Sequence, residues 1–223
     1  MIITGKRHDF RIDYRVGFNQ LGKIDGIEFE HFVRCGWSAD LSIPVADRAM
    51  LHSDNAYFLS DVKITSHRLL TNTQSATAFR GFGGPQGMVG IEQVVSHIAQ
   101  YLKKDALKVS ELNFYKNPSK DQNNYQTTPY HMPISDSIIR PLVKKLKLSA
   151  DYDKRRQEVK NWNTKNKILK KGLALTPVKF GISFTLTHLN QAGALVHIYQ
   201  DGSIRINHGG TEMGQGLFQK IAQ

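Results

Sequence analysis

Residues 10 to 18 alternate without a break. Phe10, Ile12, Tyr14, Val16 and Phe18 are apolar or aromatic, and Arg11, Asp13 and Arg15 between them are charged. Successive side chains of an extended chain point to opposite faces, so this run predicts a strand with one buried and one solvated side. After a turn at Asn19-Gln20-Leu21-Gly22, a second strand is expected from about Lys23 to Val33, with Ile27, Phe29, His31 and Val33 on one face. The pair reads as a hairpin with a single buried side.

The period changes further along. Met88, Ile91, Val95, Ile98 and Leu102 recur at steps of three and four, which places them on one stripe of a helix. Pro85 suits its first turn, and Lys103 and Lys104 suit its C-terminus. Between hairpin and helix, residues 42 to 59 read as loop with a short helix or strand, and Tyr57 to Leu69 as a strand. A polar, glycine-rich passage then runs from Thr71 to Gly87. Further helices are expected at Ala106 to Phe114, Asp136 to Leu146 and Ala150 to Asn163, with a loop from Asn117 to Pro133. The chain then returns to strand. Phe180, Ile182, Phe184 and Leu186 alternate within Lys179 to His188, and Asp201-Gly202 separates Ala194–Gln200 from Ser203–His208, a strong hairpin signal. The final residues from Gly214 read as the first turns of a helix, and both ends look truncated.

Composition narrows the class. The 223 residues allow one large domain or two small ones. No apolar run reaches the ~18 residues of a membrane helix, and the start lacks a signal-like apolar stretch. A single cysteine, Cys35, excludes an internal disulfide and fits a reducing cytoplasm. The net charge of +11 raises the question of nucleic acid or an acidic partner. Eleven basic residues and three acids fall within Lys144–Lys171, so the excess marks one segment, and a solvated helical face accounts for it more simply than RNA.

Common catalytic patterns are absent. His31 and Cys35 have no second pair to complete a zinc site, there is no nucleophile elbow or Walker loop, and Gln86 stands where a dinucleotide fingerprint needs glycine. Two glycine-rich loops each precede a helix start: Gly81-Phe82-Gly83-Gly84-Pro85-Gln86 and Gly209-Gly210-Thr211-Glu212-Met213-Gly214-Gln215-Gly216. Glycine lets a backbone approach a ligand, and first-turn N–H groups attract anions. A large anionic cofactor held by backbone amides is one reading. Glycines that merely make tight turns are the other, and the residues alone leave both open.

Thr77-Ala78-Phe79-Arg80-Gly81-Phe82-Gly83-Gly84-Pro85-Gln86 resembles the signature of xanthine dehydrogenases and their aldehyde oxidase relatives. Lys179–Thr185, Leu189–Leu195 and His208–Gly216 are similar to the same family, in the same order, and the likeness is weakest from Pro118 to Asn166. It implies an α+β fold with mixed and antiparallel sheets packed against helices. Residues 1–120 would belong to a first molybdenum-cofactor-binding domain, 121–170 to a basic connecting segment, and 171–223 to the start of a second such domain.

The resemblance also implies roles. Arg80 and Gly81, and Gly214 and Gln215, would contact molybdopterin, with the metal held through the pterin near Arg80. Phe82 and Phe184 would sandwich a purine, and Thr185 would hydrogen-bond it. Because neighbours on a strand alternate, Phe184 and Thr185 would share a pocket only at a bulge or strand end. Arg48, in Asp47–Tyr57, matches the family's substrate arginine, which aldehyde oxidases usually lack. A fixed guanidinium suits the negative charge that attack pushes onto a purine ring. The implied activity is oxidation of hypoxanthine and xanthine to urate with oxygen from water, electrons passing to 2Fe-2S and FAD modules of the same enzyme. A homodimer or heterotetramer is expected, with no membrane or nucleic acid partner. No catalytic base is assigned, since the family's glutamate belongs beyond Gln223, so the chain by itself is expected to be inert. The alternatives are an aldehyde oxidase-like hydroxylase and a non-catalytic basic module for an acidic partner or RNA.

Overall fold

The computed structural model describes residues 3–118, 125–182 and 184–223. Residues 119–124 of the expected loop, and Ser183, lie outside the described residues. The chain divides into two compact units, Met1–Gly181 and Ile182–Gln223.

In the first unit, β1 (Phe10–Phe18) and β2 (Ile24–Gly36) pair antiparallel as the alternation requires. Phe10 faces Val33, Ile12 faces His31, Tyr14 faces Phe29 and Val16 faces Ile27, so both apolar sets fall on one side. The third strand, β3 (Val62–Leu70), lies on the other edge of β2 and runs parallel to it. A parallel neighbour needs a crossover. It is made through α1 (Ser42–Leu51), in the stretch where the sequence leaves helix, strand and loop open.

The covering element is α2 (Gly84–Tyr101). Of its predicted stripe, Ile91, Val95 and Ile98 are almost fully buried, and with Val94 they meet Phe29 and Ile27 from the sheet. The core continues through Leu107 and Val109 of α3 (Ala106–Asn113), Ile139 and Val143 of α4 (Ile139–Ser149), and Tyr152 at the start of α5 (Tyr152–Lys165). Tyr57 and Phe114 stack at 5.7 Å between centroids, fixing the segment after α1 against the end of α3. Asp105 caps α3 by accepting from the N–H of Leu107 at 2.9 Å.

Helices α1 and α2 cross at backbone contact, which only glycine permits. A Cβ on Gly83 would stand 2.0 Å from the carbonyl oxygen of Val45, and one on Gly87 2.1 Å from that of Ala49. The residues before α2 are held in left-handed conformation, with φ of 91° at Gly81, 48° at Phe82 and 90° at Gly83.

The second unit holds a 3-10 turn at Thr187–Leu189, the hairpin β4 (Ala194–Ile198) and β5 (Ile204–His208), and α6 (Leu217–Ala222). Asp201-Gly202 makes the turn: the N–H of Tyr199 donates to Ser203 at 2.9 Å, and Asp201 accepts from both the N–H and hydroxyl of Ser203. Among the described residues of the strand expected over Lys179 to His188, none is in a strand. Its alternation is real, but side chains rather than a neighbouring strand take up its backbone groups.

Candidate functional site

Arg48 sits on the inward face of α1 and is 6% exposed. Its guanidinium carbon lies 4.8 Å from the centroid of the Phe180 ring, and Nη2 donates to the carbonyl of Gly181. Burial lowers its pKa from the ordinary arginine value. One turn on, His52 ends the helix, its ring centroid 4.9 Å from that of Phe180. Its Nε2 accepts from the N–H of Gly181 at 3.0 Å, and Nδ1 lies 2.9 Å from the carbonyl of Arg48. An amide N–H can only donate, so Nε2 is bare and Nδ1 carries the proton that goes to Arg48. Desolvation, with the charges of Arg48 and Lys179 added, lowers the imidazole pKa and favours this neutral form.

Three residues further, Asn55 adopts a left-handed conformation with φ of 39°. Its Oδ1 accepts from the N–H of Lys179 at 3.0 Å, and Nδ2 donates to the Pro177 carbonyl at 3.0 Å and to Glu92 at 2.7 Å. Tyr57 donates to the same Glu92 oxygen at 2.8 Å. Beside them the buried carboxylate of Asp54 takes the ammonium of Lys179 at 2.7 Å and the hydroxyl of Tyr115 at 2.7 Å. Burial raises the Asp54 pKa, and the Lys179 contact works against that rise. Removing Lys179 would strand the Asp54 charge in the interior.

The glycine-rich turn ahead of α2 packs against the same helix, α1. Besides the contact of Gly83 with α1, a Cβ on Gly84 would stand 2.6 Å from the Phe180 ring. Gly83, Gly84 and Gly87 are therefore explained by internal packing, and ligand approach is not needed to account for them. The turn is closed by the N–H of Phe82 donating to Phe79 at 2.7 Å and that of Gly84 to Gly81 at 3.0 Å. Arg7 braces it from outside: its guanidinium lies 4.3 Å from the Phe79 ring centroid and donates through Nη2 to the Arg80 carbonyl at 2.6 Å. Its other terminal nitrogen is buried and has no hydrogen-bond partner among the described residues. An orphaned cationic donor behind an exposed turn fits an anionic group seated at Arg80 and Gly81.

The second glycine-rich loop has a different donor set. Glu212 folds back so that its carboxylate accepts from the N–H groups of Gly214 at 2.6 Å, Gly216 at 3.3 Å and Phe218 at 3.3 Å. Gln215 donates to Thr211 and accepts from Met213. The amides that the sequence offers to an outside anion are here supplied with an internal one. In the same unit Asn190 brackets Phe184, accepting from its N–H and donating to its carbonyl, both at 2.7 Å.

Of the residues named from sequence, Arg48, Arg80, Gly81 and Phe82 lie in the first unit, and Phe184, Thr185, Gly214 and Gln215 in the second. The first unit brings Arg48 together with Phe180, Gly181 and the turn ahead of α2. Phe180, His52 and Asn55 were not singled out. The available signal was the spacing 48, 52, 55, which gathers three polar side chains at the C-terminal end of α1 and the turn after it. The basic segment is partly committed elsewhere: Arg156 pairs with Asp105 at 2.7 Å, Lys147 with Asp153 at 3.3 Å, and Lys171 stacks on Trp162 at 3.6 Å. Among the described residues no cluster of three His, Cys, Asp or Glu is placed to hold a metal ion, and no helix is long and apolar enough to cross a membrane.

Residues 1–114 match one molybdopterin cofactor-binding domain family and residues 145–223 match a second of the same description. Over all 223 residues the chain is 45% identical to xanthine dehydrogenase 1 of Arabidopsis thaliana and 43% identical to the xanthine dehydrogenase of Dictyostelium discoideum, spanning 16% of each. It is 44% identical to the xanthine dehydrogenase/oxidase of Mus musculus, again spanning 16% of that protein. The chain thus covers about a sixth of the length of these relatives. In fold it is similar to the aldehyde oxidoreductase of Desulfovibrio desulfuricans (TM-score 0.69, 20% identity, 91% of this chain and 21% of that one). It is similar also to a Cu,Mo-CO dehydrogenase (TM-score 0.69, 18% identity, 93% of this chain and 28% of that one). The mixed α+β fold and these matches make the chain a member of the molybdopterin cofactor-binding domain family.

Proposed function

We propose that this chain forms the substrate-facing part of a molybdenum hydroxylase that oxidises hypoxanthine and xanthine to urate, with water as the oxygen source. One observation carries the reading: a buried arginine, Arg48, clamped by an aromatic face and a backbone carbonyl. A guanidinium so fixed needs little reorganisation when negative charge develops nearby, which is what attack on an electron-poor purine carbon produces. Phe82 and Phe184 are assigned to the two faces of the heterocycle and Thr185 to one of its polar edges. Arg80 and Gly81, with Arg7 behind them, are assigned to the cofactor, as are Gly214 and Gln215. When bound, that cofactor supplies the two-electron oxidation. The residues of this chain bind, orient and stabilise charge, and none is assigned as base, so the segment by itself is expected to turn nothing over.

In the whole enzyme electrons would leave through Fe–S and FAD modules, in a homodimer or heterotetramer, and the lone cysteine is consistent with a cytoplasmic setting. Replacing Arg48→Met in the full-length, molybdenum-loaded enzyme tests the assignment. We expect kcat/KM for xanthine to fall about 10²–10³-fold, the usual consequence of losing one charge-stabilising donor, with aldehyde oxidation changed far less. Equal losses on both substrates would remove Arg48 from purine recognition and leave the aldehyde oxidase-like reading.

A further inference from the structure

The segment Pro177 to Gly181 belongs to no helix or strand. Its backbone is met instead by side chains from the end of α1. Asn55 takes the Lys179 N–H and the Pro177 carbonyl, His52 takes the Gly181 N–H, and Arg48 donates to the Gly181 carbonyl. Residues 48 and 52 stand one helical turn apart, about 5–6 Å, and Asn55 continues the series from the following turn. Residues 177, 179 and 181 are alternate positions of the facing segment. A comb of side chains therefore does the work of a β-partner. Each tooth is itself oriented: Asn55 by Glu92, which Tyr57 holds, and His52 by the carbonyl of Arg48.

Gly181 is the joint of this arrangement. Its N–H is spent on His52 and its carbonyl on Arg48, so a change of backbone angles at that one residue would disturb both. Phe184 and Thr185 follow it by three and four positions along the chain. We propose that His52 is a positioning residue for the proposed substrate arginine: by accepting from the Gly181 N–H it holds the residue whose carbonyl fixes the guanidinium of Arg48. The inference rests on the purine-binding reading of Arg48 and adds a residue that touches no substrate.

The test uses the full-length, molybdenum-loaded enzyme with His52→Leu, His52→Asn and His52→Gln beside Arg48→Met. Hydrogen–deuterium exchange of the peptide containing Gly181 is read together with kcat and KM for xanthine and with molybdenum content. Leucine removes the acceptor. Asparagine still reaches the Arg48 carbonyl but falls short of Gly181. Glutamine restores an acceptor at the Nε2 position. In both the leucine and asparagine variants we expect exchange at Gly181 to quicken about tenfold, as one lost hydrogen bond allows, and kcat for xanthine to fall about 10–100-fold, as for a misplaced binding group, with molybdenum retained. Glutamine should return both readouts to within about threefold of wild type. If the leucine variant does not fold, the asparagine and glutamine pair decides the matter.

Unchanged exchange in the leucine or asparagine variant overturns the clamp. So does quicker exchange with unaltered xanthine kinetics, or a glutamine variant as impaired as leucine. The two readings can fail separately. Should Arg48→Met leave xanthine turnover intact while His52→Leu still frees the Gly181 amide, the purine assignment falls and the backbone clamp stands.

Discussion

Met1–Gly181 and Ile182–Gln223 are built from the same kinds of element, yet only the first closes a core. In it Phe29, Val33, Ile91, Val94 and Val109 are wholly buried. In the second, no described residue is buried, and Leu195, Val196, Ile198 and Ile204 stand more than half exposed on a well-formed hairpin. The hairpin is specified by its turn, through Asp201, Gly202 and the Tyr199–Ser203 bond, and needs no covering layer to take its register. Local chemistry can thus set an element's shape where burial does not, and the two units should answer differently to the same kind of substitution.

The largest difference is expected at glycines. Gly83→Ala places a Cβ against the Val45 carbonyl at a residue with φ of 90°, and the combined strain and overpacking should cost about 4 kcal/mol. Gly202→Ala also has positive φ but meets nothing within 4 Å. Trp37 and Trp162 both lie in the first unit. Denaturation of the chain followed by tryptophan fluorescence should therefore register the first substitution in full and the second by less than about 0.5 kcal/mol. Comparable shifts would mean the units do not unfold independently.

Acid should separate them next. His31 is fully buried between Phe10 and Phe29, and desolvation lowers its pKa to about 4 from 6.5. Below pH 6.5 the unfolded chain binds a proton that the folded one refuses, so stability falls as pH drops from 6.5 towards 4, by at most about 3 kcal/mol from this residue. Burial lowers the pKa of His8 and His52 as well, adding in the same direction. In His31→Leu most of the slope in that window should vanish, and an undiminished slope would place its origin elsewhere. The smallest effect compares single methylenes. Ile91→Val in the core should cost about 1 kcal/mol, and Ile206→Val on the hairpin should leave the fluorescence transition within about 0.3 kcal/mol of the parent.

Much of the first unit could be read from spacing. The facing pairs of β1 and β2 and the stripe of α2 follow from periods of two and about 3.6, because burial on one side enforces both. The parallel placement of β3 could not be read, since no local pattern says which edge of β2 a crossover returns to. Residues 179 to 188 alternate like a strand, but hydrogen bonds from Asn55 and His52 at one end and Asn190 at the other satisfy the backbone instead. The candidate site could be proposed from sequence where a long motif carries it, at Arg48 and the turn of Arg80 to Phe82. The partnership of His52 was illegible, because it depends on a residue 129 positions away. Glycine misled in part, because contact between two helices and contact with a ligand demand the same missing side chain.

Glu212 has a consequence for how the loop around it can be used. Its carboxylate already sits on three of the loop's amides, so the loop is complete before any visitor arrives, and folding need not wait for one. An incoming phosphate or carboxylate would be trading places rather than filling a gap, gaining only the margin by which it outbids the resident oxygen atoms.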